Sequence, residues 1–169
     1  WSKSLKMAGY QSTTFTFDFY SQINKRQDWD ILINEKFSFI PNQIRPYIAF
    51  IYSIYFFDLF ILSFNGFCLG KTPLQYYQAY FFKLSGKRTI LIPYGSDSFV
   101  YRRVSSPSVQ QALMFSYPQY AKKQCEIRKV LDYWCTNADG LFPGISMPDG
   151  FGRNDALLPS LLFLDLNIW

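Results

Sequence analysis

The stretch KTPLQYYQAYFFKLSGKRTILIPYGSD, from Lys71 to Asp97, carries the pattern of a helix, a strand and a polar turn in succession. Pro73 suits the first position of a helix, and Gly86 suits the residue that ends one. The residues after Gly86 are mostly apolar over the length of a strand, before glycine, serine and aspartate interrupt them. The stretch therefore predicts a helix over Pro73–Ser85 and a strand over Arg88–Pro93.

Strands and helices also alternate along the rest of the chain. A helix ends before Gly9, and the phenylalanines of TTFTFDFYS then alternate with polar residues, as in a half-buried strand. Because strands separated by helices are typical of parallel βαβ units, the predicted fold class is α/β, a three-layer sandwich with a mostly parallel sheet. The further predicted elements, in chain order, are strand Thr13–Tyr20, helix Asn42–Phe57, strand Leu59–Phe64, helix Pro118–Trp134 and a short strand that follows Asn137–Gly140.

The composition narrows the classes of function. With 169 residues, 49% of them hydrophobic, the chain can form a compact core. Because it has no histidine, it cannot supply histidine acid–base catalysis, a Ser–His triad or most zinc sites, and we expect no metal. Its 17 Lys and Arg residues never form the runs typical of a nucleic-acid patch, so we expect no nucleic-acid partner. Three widely spaced cysteines fit a reducing compartment.

The segment PYIAFIYSIYFFDLFILSF (Pro46–Phe64) is long and apolar enough to raise the question of a transmembrane helix. Its one charged residue, Asp58, would cost about 2.5–3.5 kcal/mol at the centre of such a helix. As the polar joint between a helix and a strand, the same residue meets no such cost. We therefore expect a helix followed by a strand, and an integral membrane segment is the alternative.

Turn residues follow two of the predicted strands. Asn65 and Gly66 come after the first, and Gly95-Ser96-Asp97 come after the second. Ligands of parallel sheets bind beyond the carboxyl ends of the strands, so we expect the two loops to lie side by side and to form one wall of a pocket. The alternative for the second loop is a simple turn in which Asp97 caps a following helix.

Two arginines, Arg102 and Arg103, follow this turn. Guanidinium forks suit a phosphate or diphosphate, although solvated surface arginines are common as well. The segment GFGRND begins at Gly150 like a GxGxxG nucleotide-binding loop, but Asp155 stands where the third glycine belongs. The sequence therefore predicts no nucleotide-binding fingerprint in this chain.

Five segments follow one another along most of the chain: LKMAGYQST, FDLFILSFNG, FFKLSGKRTILIPYGSDSFVYRR, NADGLFPG and LPSLLFLDLNIW. In order and spacing they resemble the N-terminal half of a GT-B glycosyltransferase of the family-four-like kind. The resemblance implies a Rossmann-like domain over residues 1–160 that lacks its first strand, and the start of an interdomain connection over residues 161–169. It further implies that this half binds the sugar acceptor and that a separate C-terminal domain binds the nucleotide-sugar donor.

Departures from the family's pattern limit what the resemblance implies. Tyr94 stands where a histidine often precedes the Gly-Ser-Asp loop, and the donor domain's paired glutamates have no counterpart, since the only glutamates are Glu35 and Glu126. We therefore expect this chain to hold no cofactor and to be inactive without the C-terminal domain. By the resemblance, the substrate-binding residues are Asn65, Gly66, Tyr94, Gly95, Ser96, Asp97, Arg102 and Arg103, with Asp97 the candidate catalytic residue.

The resemblance also implies a role in the synthesis of a cell-surface polysaccharide or glycolipid. Aromatic residues make up 21% of the chain and the net charge is +5, which suits peripheral contact with the cytoplasmic face of a membrane. The acceptor there would be a sugar or a lipid-linked sugar. The alternative function is a non-catalytic Rossmann-like interaction module of a membrane-associated complex.

Overall fold

The computed structural model describes residues 2–19, 21–22, 24–93, 95–104, 106–142 and 150–155. These residues fall into two compact units, which divide between Tyr52 and Ser53. The predicted domain end at residue 160 and the predicted connection over residues 161–169 lie outside the described residues.

The first unit is built around a small parallel sheet. Its strands β1 and β2 pair so that Phe15 faces Ile31. Tyr52 packs within this unit, with its ring centroid 5.6 Å from that of Phe37 and its hydroxyl 2.6 Å from the ammonium of Lys36. The elements, in order, are α1 (Ser2–Met7), β1 (Phe15–Thr16), β2 (Ile31–Leu32), α2 (Ile33–Lys36) and α3 (Arg45–Phe56), which runs across the division between the units.

The predicted strand Thr13–Tyr20 is wrong in length, because among its described residues only the two of β1 belong to a ladder. On both sides of that pair, a backbone N–H bonds to a side chain. The Thr14 N–H donates to the Asp30 carboxylate at 2.7 Å, and the Phe19 N–H donates to the carboxylate of Asp18 at 2.9 Å. Backbone groups that bond to side chains in this way do not extend a ladder.

The apolar segment Pro46–Phe64 forms a helix and then a strand, as predicted. Helix α3 ends at Phe56, and the next strand begins at Leu59. Asp58 lies between them and accepts a hydrogen bond from the Lys87 ammonium at 2.7 Å. Among the described residues, no helix combines the length and the apolar content that crossing a bilayer requires.

The second unit contains a three-stranded parallel sheet, in the order β3 (Leu59–Leu62), β4 (Arg88–Leu91) and β5 (Gly140–Leu141). Leu62 faces Leu91, and Leu91 faces Leu141. These leucines are buried, together with Phe82 and Trp134 from the helices that connect the strands. The predicted α/β class with parallel strands is confirmed, but the described strands form two sheets, one in each unit, and the predicted strands end earlier than expected.

Besides α3, which begins at Arg45 rather than at Asn42, two predicted helices begin later than expected. Helix α4 spans Gln78–Leu84 rather than Pro73–Ser85, and the later helix α6 spans Gln124–Asn137 rather than Pro118–Trp134. A 3-10 turn precedes each of them. Before α4, the Thr72 hydroxyl donates to the Leu69 carbonyl and accepts from the Leu74 N–H, which makes a separate turn there.

Helix α5 (Pro107–Ser116) was not predicted. Its start carries ordinary signals, because Ser106 caps it by accepting from the Val109 N–H, and proline occupies its first position. In the described part of the chain, the 3-10 turns are Arg26–Asp28, Gln75–Tyr77, Ser96–Ser98, Tyr101–Arg103, Pro118–Lys123 and Gly150–Gly152.

Asp139 joins the amino ends of β4 and β5. Its carboxylate accepts from the Thr89 N–H at 2.8 Å, and its own N–H donates to the Thr89 carbonyl at 3.0 Å. The aspartate of the segment NADG therefore holds the edge of the sheet opposite to the one where parallel sheets bind ligands.

Candidate functional site

A hydrogen bond ties together the two loops that follow β3 and β4. The Phe64 N–H, just beyond β3, donates to the Asp97 carboxylate at 3.0 Å. Asp97 lies in the 3-10 turn Ser96–Ser98, which Gly95 enters with a φ of +124°. That φ favours glycine, so the sequence of the turn matches its backbone. The structure thus brings Asn65 and Asp97 to the same edge of the sheet.

A buried glutamine holds the loop after β3 in place. The Gln78 side chain is 1% exposed, accepts from the Phe67 N–H at 3.0 Å and donates to the Gln75 carbonyl at 3.1 Å. The backbone of Gly66 lies so close to the Gln78 side chain that a Cβ added at Gly66 would lie 2.7 Å from the Gln78 amide nitrogen. At Gly70 an added Cβ would lie 2.1 Å from the Asn65 carbonyl oxygen. The loop therefore needs glycine at both positions.

A cavity of about 380 Å³ opens between these loops and the helix α6. Asn65 and Asp97 line it. Six of the lining polar side chains make no hydrogen bond or ion pair with any described residue, and they are Asn65, Gln75, Tyr76, Tyr120, Lys123 and Glu126. Two amides, two phenols, an ammonium and a carboxylate are thus available to a ligand.

The other wall of the cavity is apolar and aromatic. Ile127, Val130 and Trp134 of α6 form it with Tyr133. The Tyr133 hydroxyl accepts from the Ala79 N–H at 2.8 Å, which fixes the ring against α4. Burial raises the pKa of the Tyr133 phenol, so this group stays neutral.

The predicted site residues divide into separate groups. Asn65 and Asp97 line the cavity, and Gly66 and Gly95 shape the loops that carry them. Tyr94 lies outside the described residues, and only the backbone of Ser96 is described. Arg102 and Arg103 do not line this cavity, because the 3-10 turn that contains them borders a second one.

Sequence reasoning missed the helical side of the cavity. Lys123 and Glu126 flank the first residues of α6, and Tyr76 lies in the turn before α4. One signal was present, since Glu126 is one of only two glutamates in the chain. Nothing in the local pattern, however, shows which face of a helix meets the end of a strand.

The cavity offers hydrogen bonds rather than metal ligation. In the part of the chain that the structure describes, no three Asp, Glu or Cys side chains come together as a metal site would require. No family model, curated protein or solved structure matches the chain. Any statement about its function therefore depends on the geometry of the cavity and on the resemblance in sequence.

Proposed function

We propose that this chain is the acceptor-binding half of a nucleotide-sugar-dependent glycosyltransferase and that the cavity between Asn65, Asp97 and α6 binds the sugar acceptor. The observation that carries the proposal is the group of partnerless polar side chains in a cavity at the carboxyl edge of β3 and β4. That edge is where open α/β sheets bind their ligands.

The chemistry of the lining suits a sugar. Each sugar hydroxyl both donates and accepts, and the lining offers acceptors at Asp97 and Glu126 and groups that do both at Asn65 and Tyr76. The C–H face of a sugar ring is apolar, and the wall formed by Trp134 and its neighbours would pack against it. An ammonium at Lys123 would hold a further hydroxyl or an acidic substituent.

The finer architecture belongs to the same proposal. The second unit would be the Rossmann-like sandwich, and its first strand would pair with the outer edge of β3, where the described residues form no ladder. The nucleotide-sugar donor would bind a C-terminal domain. Asp97 would accept a hydrogen bond from the reacting hydroxyl of the acceptor, in the synthesis of a polysaccharide or glycolipid at the cytoplasmic face of a membrane.

A panel of monosaccharides and disaccharides, screened against the purified chain by saturation-transfer NMR, tests the proposal. We expect at least one sugar to bind with a dissociation constant of about 10 mM or tighter. The Glu126→Gln variant should weaken that binding about fivefold, because it removes a partnerless charge that faces the cavity.

The matched control is Glu35→Gln, which changes the only other glutamate. Glu35 pairs with Arg26 in the first unit, at 2.8 Å. Sugar binding should not change in this variant. If no sugar binds, or if the two variants bind equally, the cavity is not an acceptor site.

The alternative function is a non-catalytic interaction module, and the observation that supports it is the presence of exposed apolar side chains. Phe115 is 88% exposed and Tyr55 is 80% exposed. Exposed apolar side chains are common on protein surfaces, whereas the acceptor-binding proposal also accounts for a cavity at the carboxyl edge of the sheet, so it is the stronger one.

A further inference from the structure

A second cavity, of about 590 Å³, borders the turn that begins at Tyr101. Its walls are the 3-10 turn Tyr101–Arg103, the helix α5 and the first residues of α6. It shares no lining residue with the first cavity, between Asn65, Asp97 and α6, which is called the acceptor cavity after its proposed ligand. Its ligand can therefore be inferred independently of the proposed glycosyltransferase function.

Three of the residues that line this second cavity are arginines. They are Arg102, Arg103 and Arg128, and none of the described lining residues is a carboxylate. Arg103 forms an ion pair with Asp132, which anchors its guanidinium. The side chains of Arg102 and Arg128 make no hydrogen bond or ion pair with any described residue. Two arginines at this cavity are thus not neutralised by any described carboxylate.

A glutamine fixes the geometry of the cationic turn. The Gln124 side chain accepts from the Tyr101 N–H at 2.8 Å and donates to the carbonyl of Phe99 at 2.8 Å. Because Gln124 belongs to α6, these bonds hold the turn of Arg102 and Arg103 against the helix that carries Arg128. This framework fixes the backbone from which Arg102 and Arg103 extend, which lowers the backbone entropy that would be lost on binding.

An apolar part of the wall is formed by Val100, Met114 and Ala121, and two glutamines, Gln110 and Gln124, also line the cavity. The cavity is much larger than one phosphate ion and falls in the range of small-molecule sites. We propose that it binds an organic phosphate monoester. The phosphate would lie between Arg102 and Arg128, and the apolar group of the ester, about the size of one ring, would pack against Met114. Guanidinium forks match phosphate oxygens, and the apolar wall matches the substituent.

Calorimetric titration with phenyl phosphate tests this site. We expect the Arg102→Gln/Arg128→Gln variant to bind phenyl phosphate at least about tenfold more weakly than the unmodified chain. Neither arginine bonds to a described residue, so the variant should fold normally, which its thermal unfolding will verify. The control is Lys129→Gln, which removes an exposed charge next to Arg128 that does not line the cavity. It should change the affinity less than about twofold.

Inorganic phosphate provides the second probe. It should bind to the same arginines about tenfold more weakly than phenyl phosphate, because it lacks the apolar group. Equal affinity for the two probes would overturn the role of the apolar wall. Equal binding by the unmodified chain and the double variant would overturn the site itself.

Cys125 allows an independent readout, because its thiol is exposed and lines this cavity. Burial raises the pKa of Cys68, and it raises that of Cys135 to about 11, so both thiols should alkylate slowly. Saturating phenyl phosphate should slow the alkylation of Cys125 by iodoacetamide at least about threefold, and the double arginine variant should show no protection. Unprotected Cys125 in the unmodified chain would contradict the proposal.

A membrane surface is the competing partner for a cationic and apolar region. Vesicles of phosphatidylcholine with and without phosphatidic acid distinguish the two. Binding to the phosphatidic acid vesicles without any binding of phenyl phosphate would overturn the proposed monoester site in favour of a lipid surface.

Discussion

Two aspartates in the second unit allow a matched test of the acceptor site. Asp97 and Asp139 each accept a hydrogen bond from a backbone N–H at the end of a strand, at 3.0 Å and 2.8 Å. Asp97 does so at the carboxyl edge of the sheet and lines the cavity, whereas Asp139 lies at the amino edge. Changing each to asparagine keeps the shape of the side chain and removes its charge.

The expected loss of stability is similar for the two variants. A hydrogen bond to a charged group contributes about 1.5–3 kcal/mol and a neutral one about 0.5–1.5 kcal/mol, so each change should cost about 1 kcal/mol of unfolding free energy. The ion pair of Asp139 with Arg88 adds little, because the Arg88 side chain is 76% exposed. Urea denaturation of both variants measures this change in the free energy of unfolding.

The expected loss of function differs between them. Under the proposed function, Asp97→Asn should weaken sugar binding about tenfold, which is about 1.4 kcal/mol, and should lower the turnover of the proposed glycosyltransferase by at least the same factor. Asp139→Asn should leave both unchanged. An Asp97→Asn protein that binds sugar normally, or an Asp139→Asn protein that loses binding equally, would refute the assignment of Asp97 to the site.

Two further predictions concern the loops and the first unit. Gly70→Ala should destabilise the second unit by about 1–3 kcal/mol and weaken sugar binding, because the added Cβ would displace the Asn65 carbonyl. The Cβ added by Gly86→Ala would meet no neighbouring atom. That variant should lose about 1–2 kcal/mol of unfolding free energy through its φ of +68° alone and should bind sugar normally. Urea denaturation and sugar titration of both variants check this, and equal binding would contradict it. Hydrogen bonds from Lys6 and from the backbone lower the pKa of Asp30 below its ordinary value of 3.8, so its stabilising contribution is present above that value and is lost as the pH falls through the lowered pKa. Unfolding of Asp30→Asn should therefore depend less on pH in the acid range than that of the unmodified chain, and identical profiles would contradict this.

Local patterns in the sequence determined the α/β class and the approximate positions of several helix and strand ends. Strong periodicity and Gly86 placed the helix before β4, and the charge at Asp58 separated α3 from β3. Because parallel strands end at one edge, the sequence alone predicts that the residues after β3 and β4 lie at the same edge of the sheet. Ser106 and Pro107 are also typical of a helix start, so the sequence does contain a signal for α5.

Only the tertiary structure decided which side chains share a cavity. The bond between Phe64 and Asp97 joins residues 33 positions apart, and the helical side of the acceptor cavity comes from Lys123 and Glu126, further still along the chain. Sequence spacing placed Arg102 near Asp97, but the 3-10 turns between β4 and α5 direct it to a different cavity. The physical reason is that periodicity reports the face of an element that is apolar, whereas the position of a polar group depends on how the elements pack and on long-range hydrogen bonds such as those of Gln78 and Gln124.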